Sequence, residues 1–373
     1  MKYYIIAGEA SGDLHASNLM RELRNQDPQA TFRCWGGDLM QKQGGELVKH
    51  NRDMSFMGFL EVIFHLQTIA KYLSLCKKDL LDYHPDVLIL VDYPGFNLRI
   101  AKFAHSNGIR TFYYISPQLW AWRSSRVKII KQSIERMFVI LPFEKEFYLH
   151  HDYPVDFLGH PLLDEINATG KFQDKASFLR ENGLNKQPLV ALLPGSRKQE
   201  IRKILRIMLQ VIPDFKEHQF VIAGAPSVPA AFYRNLIGDL PVKVISGTTY
   251  DLLHNSEAAL VTSGTATLEV ALLRIPQVVC YKGSYFSYIV ARLVVHVKFI
   301  SLVNLVMDKE IVKELIQNDL TREHLSLELN RILFNQEARK KITSAYASLS
   351  EKLGGKGASN KIARLMIQYI KQK

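Results

Sequence analysis

No Asp-x-Asp dipeptide occurs in this chain, no His-x-x-x-His, and no cysteine pair at the spacing of a metal ligand set. Without the motifs that usually hold a divalent cation, the expected chemistry uses no metal. There is no Gly-x-x-x-x-Gly-Lys-Ser/Thr loop and no Gly-x-Ser-x-Gly elbow, which sets aside phosphate-loop hydrolases and elbow-type serine hydrolases. Cysteine is scarce: Cys34, Cys76 and Cys280 are scattered, odd in number and not preceded by a secretory core. They read as reduced, buried thiols of a cytoplasmic protein. The run Met1 to Ala7 is too short for a signal-peptide core and leads into Gly8, Glu9 and Asp13, so it reads as a first strand. Long apolar runs are missing as well, because the Phe- and Met-rich stretch from Met54 to Leu66 is broken by Glu61 and His65. Short-period repeats and low-complexity tracts are absent.

Acidic residues are outnumbered, 36 against 48 Lys and Arg, for a formal charge of +12. Such a surplus predicts an anionic partner, whether nucleic acid, a phosphorylated substrate or an acidic lipid surface. A length of 373 residues at 47% hydrophobic content corresponds to about two globular domains.

Short β-rich runs recur between helical patterns: Tyr3 to Ala7, Val87 to Val91, Thr111 to Ile115, Met137 to Ile140, Leu189 to Leu193, Phe220 to Ala223, Leu260 to Thr262 and Gln277 to Cys280. This alternation predicts an α/β protein with parallel sheets covered on both faces. The polar, turn-rich stretch from Asp164 to Gln187 separates two similar halves. Residues 1–165 form the first domain and 186–345 the second. Residues 346–373 carry a last helix, about Ala358 to Ile370, that packs back on the first half.

Each half opens on a strand followed by a glycine turn. In the second half, Pro194-Gly195-Ser196-Arg197 and Ser263-Gly264-Thr265-Ala266-Thr267-Leu268-Glu269 read as strand, tight turn and helix start. Free N–H groups at two helix starts can hold a diphosphate. Arg197 could bridge its oxygens, or simply sit on a solvated helix start. Thr265 and Thr267 offer hydroxyls to phosphate, and Glu269 is placed for a ribose diol, or only for the helix dipole. In the first half, Gly8-Glu9-Ala10-Ser11-Gly12-Asp13 carries two carboxylates that would repel a phosphate, so it suits a neutral hydroxyl or sugar. Asp92 ends the strand Val87 to Val91, where a carboxylate can take a proton from a hydroxyl nucleophile or cap the next helix. Trp120, Trp122, Arg123 and Arg126 follow another strand and either line an acceptor pocket or pack locally. His160 reads equally as a turn residue or a catalytic one. Phe56, Met57, Phe59, Leu60 and Phe64 form either buried helix or an apolar surface for lipid, as does a second mixed stretch from Tyr285 to Met307.

Taken in order, Ala7 to Asp13, Ser116-Pro117 with Trp120 to Arg123, Leu141-Pro142-Phe143-Glu144, Leu193 to Arg197, Ser263 to Ala266 with Leu268-Glu269, and Ser301 to Leu305 closely resemble the lipid-A-disaccharide synthase family. The resemblance covers nearly the whole chain. It implies the GT-B fold, two Rossmann-like domains facing an interdomain cleft, the first for acceptor and lipid and the second for a UDP-sugar. It implies an inverting transfer from UDP-2,3-diacylglucosamine to the primary hydroxyl of 2,3-diacylglucosamine 1-phosphate (lipid X), without metal or other cofactor and with no nucleic-acid partner. The site is the cytoplasmic face of the inner membrane, and a homodimer exchanging C-terminal segments is known in the family. Glu9, Asp92, Arg197, Glu269 and Asn304 match family positions. Asp92 and Glu9 are thus the expected catalytic residues, and Gly195, Ser196, Arg197, Gly264, Thr265, Glu269 and Asn304 the donor site. Ser11, Trp120, Arg123 and the five apolar residues Phe56 to Phe64 form the acceptor and lipid site. Many relatives have a second acid three residues after the position of Asp92, where this chain has Gly95, so a paired-carboxylate mechanism is not expected there. Two rival readings remain: another sugar-nucleotide enzyme such as a UDP-N-acetylglucosamine epimerase, and a non-catalytic lipid-binding protein on the same fold.

Overall fold

Strands whose side chains are apolar in both directions must be covered on both faces, and the computed structural model of the chain is built on two such sheets. It describes residues 1–54, 66–121, 124–168, 170–283 and 297–372. The chain divides into one unit of Met1–Asp164 with Leu353–Lys373 and a second of Glu165–Lys352.

The first unit contains β1 (Lys2–Ala7), β2 (Thr31–Gly36), β3 (Gly45–His50), β4 (Val87–Val91), β5 (Thr111–Tyr114), β6 (Arg136–Val139) and β7 (Asp156–Phe157). All pair in parallel, in the order β3-β2-β1-β4-β5-β6-β7. Connecting helices are α1 (Ala10–Gln26), α2 (Asp38–Lys42), α3 (Leu66–Tyr83), α4 (Pro94–Ser106), α5 (Val127–Ser133) and α6 (Pro142–Leu149), while α7 (Leu162–Ala168) carries the chain across the boundary, with Glu165 onward in the second unit. The period of two along β1 sends Tyr3, Ile5 and Ala7 to one core and Tyr4 and Ile6 to the other. Leu19, Met20 and Leu23 of α1 cover the first face, and Leu98, Ile100 and Ala101 of α4 help cover the second.

The second unit contains β8 (Leu189–Leu193), β9 (Gln219–Gly224), β10 (Lys243–Ser246), β11 (Ser256–Thr262), β12 (Gln277–Tyr281) and β13 (Lys313–Ile316). These are again parallel, ordered β10-β9-β8-β11-β12-β13. Its helices are α8 (Lys175–Glu181), α9 (Lys198–Gln210), α10 (Ala230–Ile237), α11 (Thr249–His254), α12 (Ala266–Leu272), α13 (Leu302–Met307), α14 (Arg322–Phe334) and α15 (Gln336–Lys352). Helix α9 turns Ile201, Ile204, Leu205 and Met208 inward while its basic residues Lys198, Arg202, Lys203 and Arg206 stay exposed.

The last helix, α16 (Ala358–Lys371), belongs to the first unit. Ile362 and Met366 are fully buried in the α1 face of the core, each contributing about 1.5–3 kcal/mol by burial. Both ends are tied. The Asp164 carboxylate accepts from Gly357 N (2.6 Å) and Ser359 N (2.8 Å), and the Arg110 guanidinium donates to the carbonyls of Tyr369 and Ile370. At the chain's return, the Gly159 backbone packs so tightly on Gly354 that a Cβ on Gly354 would lie 2.7 Å from it.

Candidate active site

A parallel sheet opens a crevice at its carboxyl edge wherever consecutive crossovers leave in opposite directions. In the first unit that point lies between β1 and β4, and in the second between β8 and β11. The residues following those four strands are the Gly8-Glu9 turn, Asp92, the Gly195 to Arg197 turn and the Ser263 to Thr265 turn. The singled-out turns therefore fall at the two switch points.

In the first crevice, Asp92 and Tyr93 both have left-handed backbone, with φ of 45° and 50°. Two such non-glycine residues in succession store on the order of 1–3 kcal/mol each, and the surroundings hold them there. The Asp92 carbonyl accepts from the Tyr113 hydroxyl (2.5 Å) and the Asn97 amide (2.7 Å), while its N–H donates to Tyr114 O (3.1 Å). The Tyr93 hydroxyl donates to Met54 O (2.9 Å), and its ring lies so close over Gly8 that any Cβ there would collide with it. Only glycine lets the β1 turn approach the β4 turn. Burial, followed by the charge of Glu9, pushes the half-buried Asp92 carboxyl up to about 6, and a carboxylate so poised suits a general base near neutral pH. The capping alternative for Asp92 is not what the structure uses, since α4 begins with Pro94 after Tyr93. Ser11 is exposed on the first turn of α1.

Asp13, read from the sequence as facing a sugar, has another task. It is buried, and its oxygens accept from Gly37 N (2.7 Å), Leu39 N (3.1 Å) and Met40 N (3.1 Å), closing the N-terminus of α2. His160 is buried, and its Nδ1 accepts from Leu162 N at the start of α7. Trp120 is half-buried, edge-on to Phe143 with centroids 4.9 Å apart. The turn leading to it rests on a group the sequence reading assigned no role, Glu144. This buried carboxyl accepts from Ser116 Oγ (3.0 Å), Leu141 N (2.9 Å) and Ile140 N (3.2 Å), and burial pushes it up to about 7. Its signal in the sequence was the Leu-Pro-Phe-Glu run at the start of α6. Arg123 and the apolar residues Phe56, Met57, Phe59, Leu60 and Phe64 lie outside the described residues.

In the second crevice, Ser196 and Arg197 are exposed just before α9, and Gly264 and Thr265 just before α12. The two turns are bridged by Glu200, which sequence reasoning also passed over. Its carboxylate accepts from Thr262 Oγ1 (3.2 Å) and lies against the Gly195 turn, with the Arg197 charge beside it partly offsetting the effect of burial. A Cβ on Gly195, whose φ is +114°, would strike it. Ser196 and Arg197 are the exposed polar side chains of this turn. Thr267 is buried and donates to Gly264 O (2.7 Å), so it offers no hydroxyl outward. Asn304 is corrected in the same way. It is fully buried, its amide nitrogen donates to Val312 O and Glu314 Oε1 (both 2.8 Å), and its oxygen accepts from Ile311 N and Val312 N. With that capacity used, it shapes the turn ahead of β13 and does not present an amide to the donor.

Glu269, on α12, lines a cavity of about 310 Å³ together with Glu165, Tyr250, Thr248 and Gly247. Burial and the neighbouring Glu165 push its carboxyl up to about 7. A larger, more apolar hollow of about 690 Å³ lies at the opposite end of the second sheet, around Phe215, Gln219 and Lys243. None of the candidate residues lines it.

Two parallel sheets, each with a switch point at its carboxyl edge, define a protein of the GT-B class. Solved structures agree in fold. They include the S. aureus MnaA–UDP co-structure (TM-score 0.72, 11% identity, 99% of this chain and 97% of that one) and a UDP-GlcNAc 2-epimerase from Neisseria meningitidis bound to UDP-GlcNAc (0.68, 14%, 99% and 100%). The glycotransferase of kitacinnamycin is a third (0.67, 12%, 99% and 99%). The chain belongs to the lipid-A-disaccharide synthetase (LpxB) family of transferases, whose profile matches residues 3–368. The lipid-A-disaccharide synthase of Syntrophus aciditrophicus is 40% identical, covering 99% of this chain and 97% of the relative. That of Nitrosococcus oceani is 38% identical over 98% and 95%. The likeness to epimerases stands at 11–14% identity and carries the fold alone.

Proposed function

We propose that this chain transfers 2,3-diacylglucosamine from UDP-2,3-diacylglucosamine to the primary hydroxyl of lipid X, releasing UDP and inverting the anomeric centre. Asp92, beside Glu9, takes the acceptor proton. The acceptor oxygen bonds to the anomeric carbon as the bond to the diphosphate breaks, its electron pair leaving on UDP. Arg197 and Ser196 meet that diphosphate and Glu269 the ribose, while Ser11, Trp120 and Arg123 serve the acceptor. The observation carrying this reading is the placement of Asp92 with Glu9 at one switch point and Arg197 at the other.

Purified protein given both lipids should form disaccharide and UDP in equal amounts, and excess chelator should leave the rate unchanged. Restoration by magnesium of an activity lost in chelator would overturn the metal-free mechanism. Epimerisation of UDP-N-acetylglucosamine without disaccharide would favour the epimerase reading, and UDP binding without turnover the non-catalytic one.

The acceptor's acyl chains and the net charge of +12 support a peripheral station on the inner face of the cytoplasmic membrane. Among the described residues no helix is long and apolar enough to cross one. Phe56, Met57, Phe59, Leu60 and Phe64 would meet the acyl chains. Binding to anionic vesicles should fall as salt screens the charge, whereas Phe56→Ser with Phe59→Ser should lower it at every salt concentration. Wild-type vesicle binding by the folded double variant would make that segment core instead. A homodimer exchanging C-terminal segments would use the apolar face by which α16 joins its own first unit here, and light scattering distinguishes it from a monomer.

A further inference from the structure

The cavity around Glu269 contains a second carboxyl that neither the nucleotide nor the transfer step requires. Glu165, on α7, accepts a hydrogen bond from the Tyr250 hydroxyl of α11 at 2.9 Å, and both side chains line the cavity with Glu269. Asp251, the remaining acid on that lining, accepts from Gln173 N (2.8 Å). Two carboxyls sharing one half-buried cavity do not both ionise easily. The Tyr250 hydroxyl donates to Glu165 and so favours the charge there, and the remaining carboxyl keeps the proton. The electrostatics agree. Burial raises the proton affinity of both carboxyls; the Tyr250 hydrogen bond offsets part of that rise at Glu165, whereas the Glu165 charge adds to it at Glu269, whose carboxyl lies at about 7.

We propose that Glu165, oriented by Tyr250, is a positioning residue that sets the charge state in which Glu269 meets the donor nucleotide. This rests on the reading that Glu269 holds the ribose. A ribose diol donates best to a carboxylate, so binding of a uridine nucleotide drives the proton off Glu269 and into solvent. Its departure takes a proton up again. The pair thereby weakens the hold on UDP below neutral pH and speeds its release.

Titration calorimetry of the full chain with UDP, in two buffers of different ionisation enthalpy, counts the protons released. Wild type should release a substantial fraction of a proton at pH 6 to 6.5, with affinity rising as pH increases to about 7. Glu165→Gln removes the neighbouring charge. Its affinity inflection should move to lower pH, and a one-unit move makes UDP binding at pH 6 roughly fivefold tighter than in wild type. Tyr250→Phe should move it the same way by less, as Glu165 takes up the shared proton. Proton release and pH profiles equal to wild type in both folded variants would overturn the pairing. Absence of UDP binding in wild type would instead overturn the nucleotide reading beneath it.

Discussion

Asp92→Asn should leave the fold and UDP binding intact while lowering turnover on the order of 10²-fold or more, the usual contribution of a positioned general base. The carbonyl contacts that hold its strained backbone come from Tyr113 and Asn97 and do not involve the carboxylate, so the amide can occupy the same conformation. The pH profile carries the sharper information. A base works ionised, and burial together with Glu9 places the Asp92 carboxyl at about 6. Turnover in wild type should therefore rise with pH through that region and level off above it. Glu9→Gln takes away the neighbouring negative charge and should displace the rising limb to lower pH. Near-normal turnover in Asp92→Asn, or a limb unmoved in Glu9→Gln, would remove these two residues from the roles given them.

Arg197→Ala should cost on the order of 10²-fold in transfer rate, comparable to losing one donor that stabilises developing charge, and should weaken UDP binding as well. The exposed guanidinium is the positive side chain on that turn, and so the group best placed to meet the diphosphate. Glu200→Gln gives the contrasting result. It frees part of the turn, and a loss of stability with UDP binding kept would mark Glu200 as a brace. Arg197→Ala with unaltered UDP affinity and rate would place that arginine on the solvated surface.

The interior strands were plain in the sequence because burial on both faces demands unbroken apolar runs such as Val87 to Val91 and Leu189 to Leu193. Strands bearing charge or a polar break were not. Gly45 to His50 carries Glu46 and Lys49, Lys243 to Ser246 opens on lysine, and Lys313 to Ile316 opens on Lys-Glu; each is an edge strand. β2 is interior yet has Arg33, whose guanidinium is held by Asp79 and Glu46, a pairing no local pattern announces. At the site, position was legible and partnership was not. Glycine turns after strands located the switch points, since few other sequences make that geometry. Which polar atoms face outward depends on long-range hydrogen bonds, as the internal engagement of Asp13, Thr267 and Asn304 shows. Glu200 and Glu144 were invisible for the converse reason, because an acid in a helix's first turn is common and its grip on a neighbouring loop is not written locally.

The placement of α16 has a consequence for the order in which the protein matures on the ribosome. Domains usually complete themselves from the amino end as they are synthesised, but here the first unit closes only with a segment that begins about 190 residues after Asp164. At roughly 5–20 residues per second, the nascent first sheet waits some 10 to 40 s with the apolar face around Leu19, Met20 and Leu23 uncovered. The uninterrupted second unit can finish ahead of it. That interval is when a chaperone, or the tail of a neighbouring nascent chain, has access to the groove that α16 later fills.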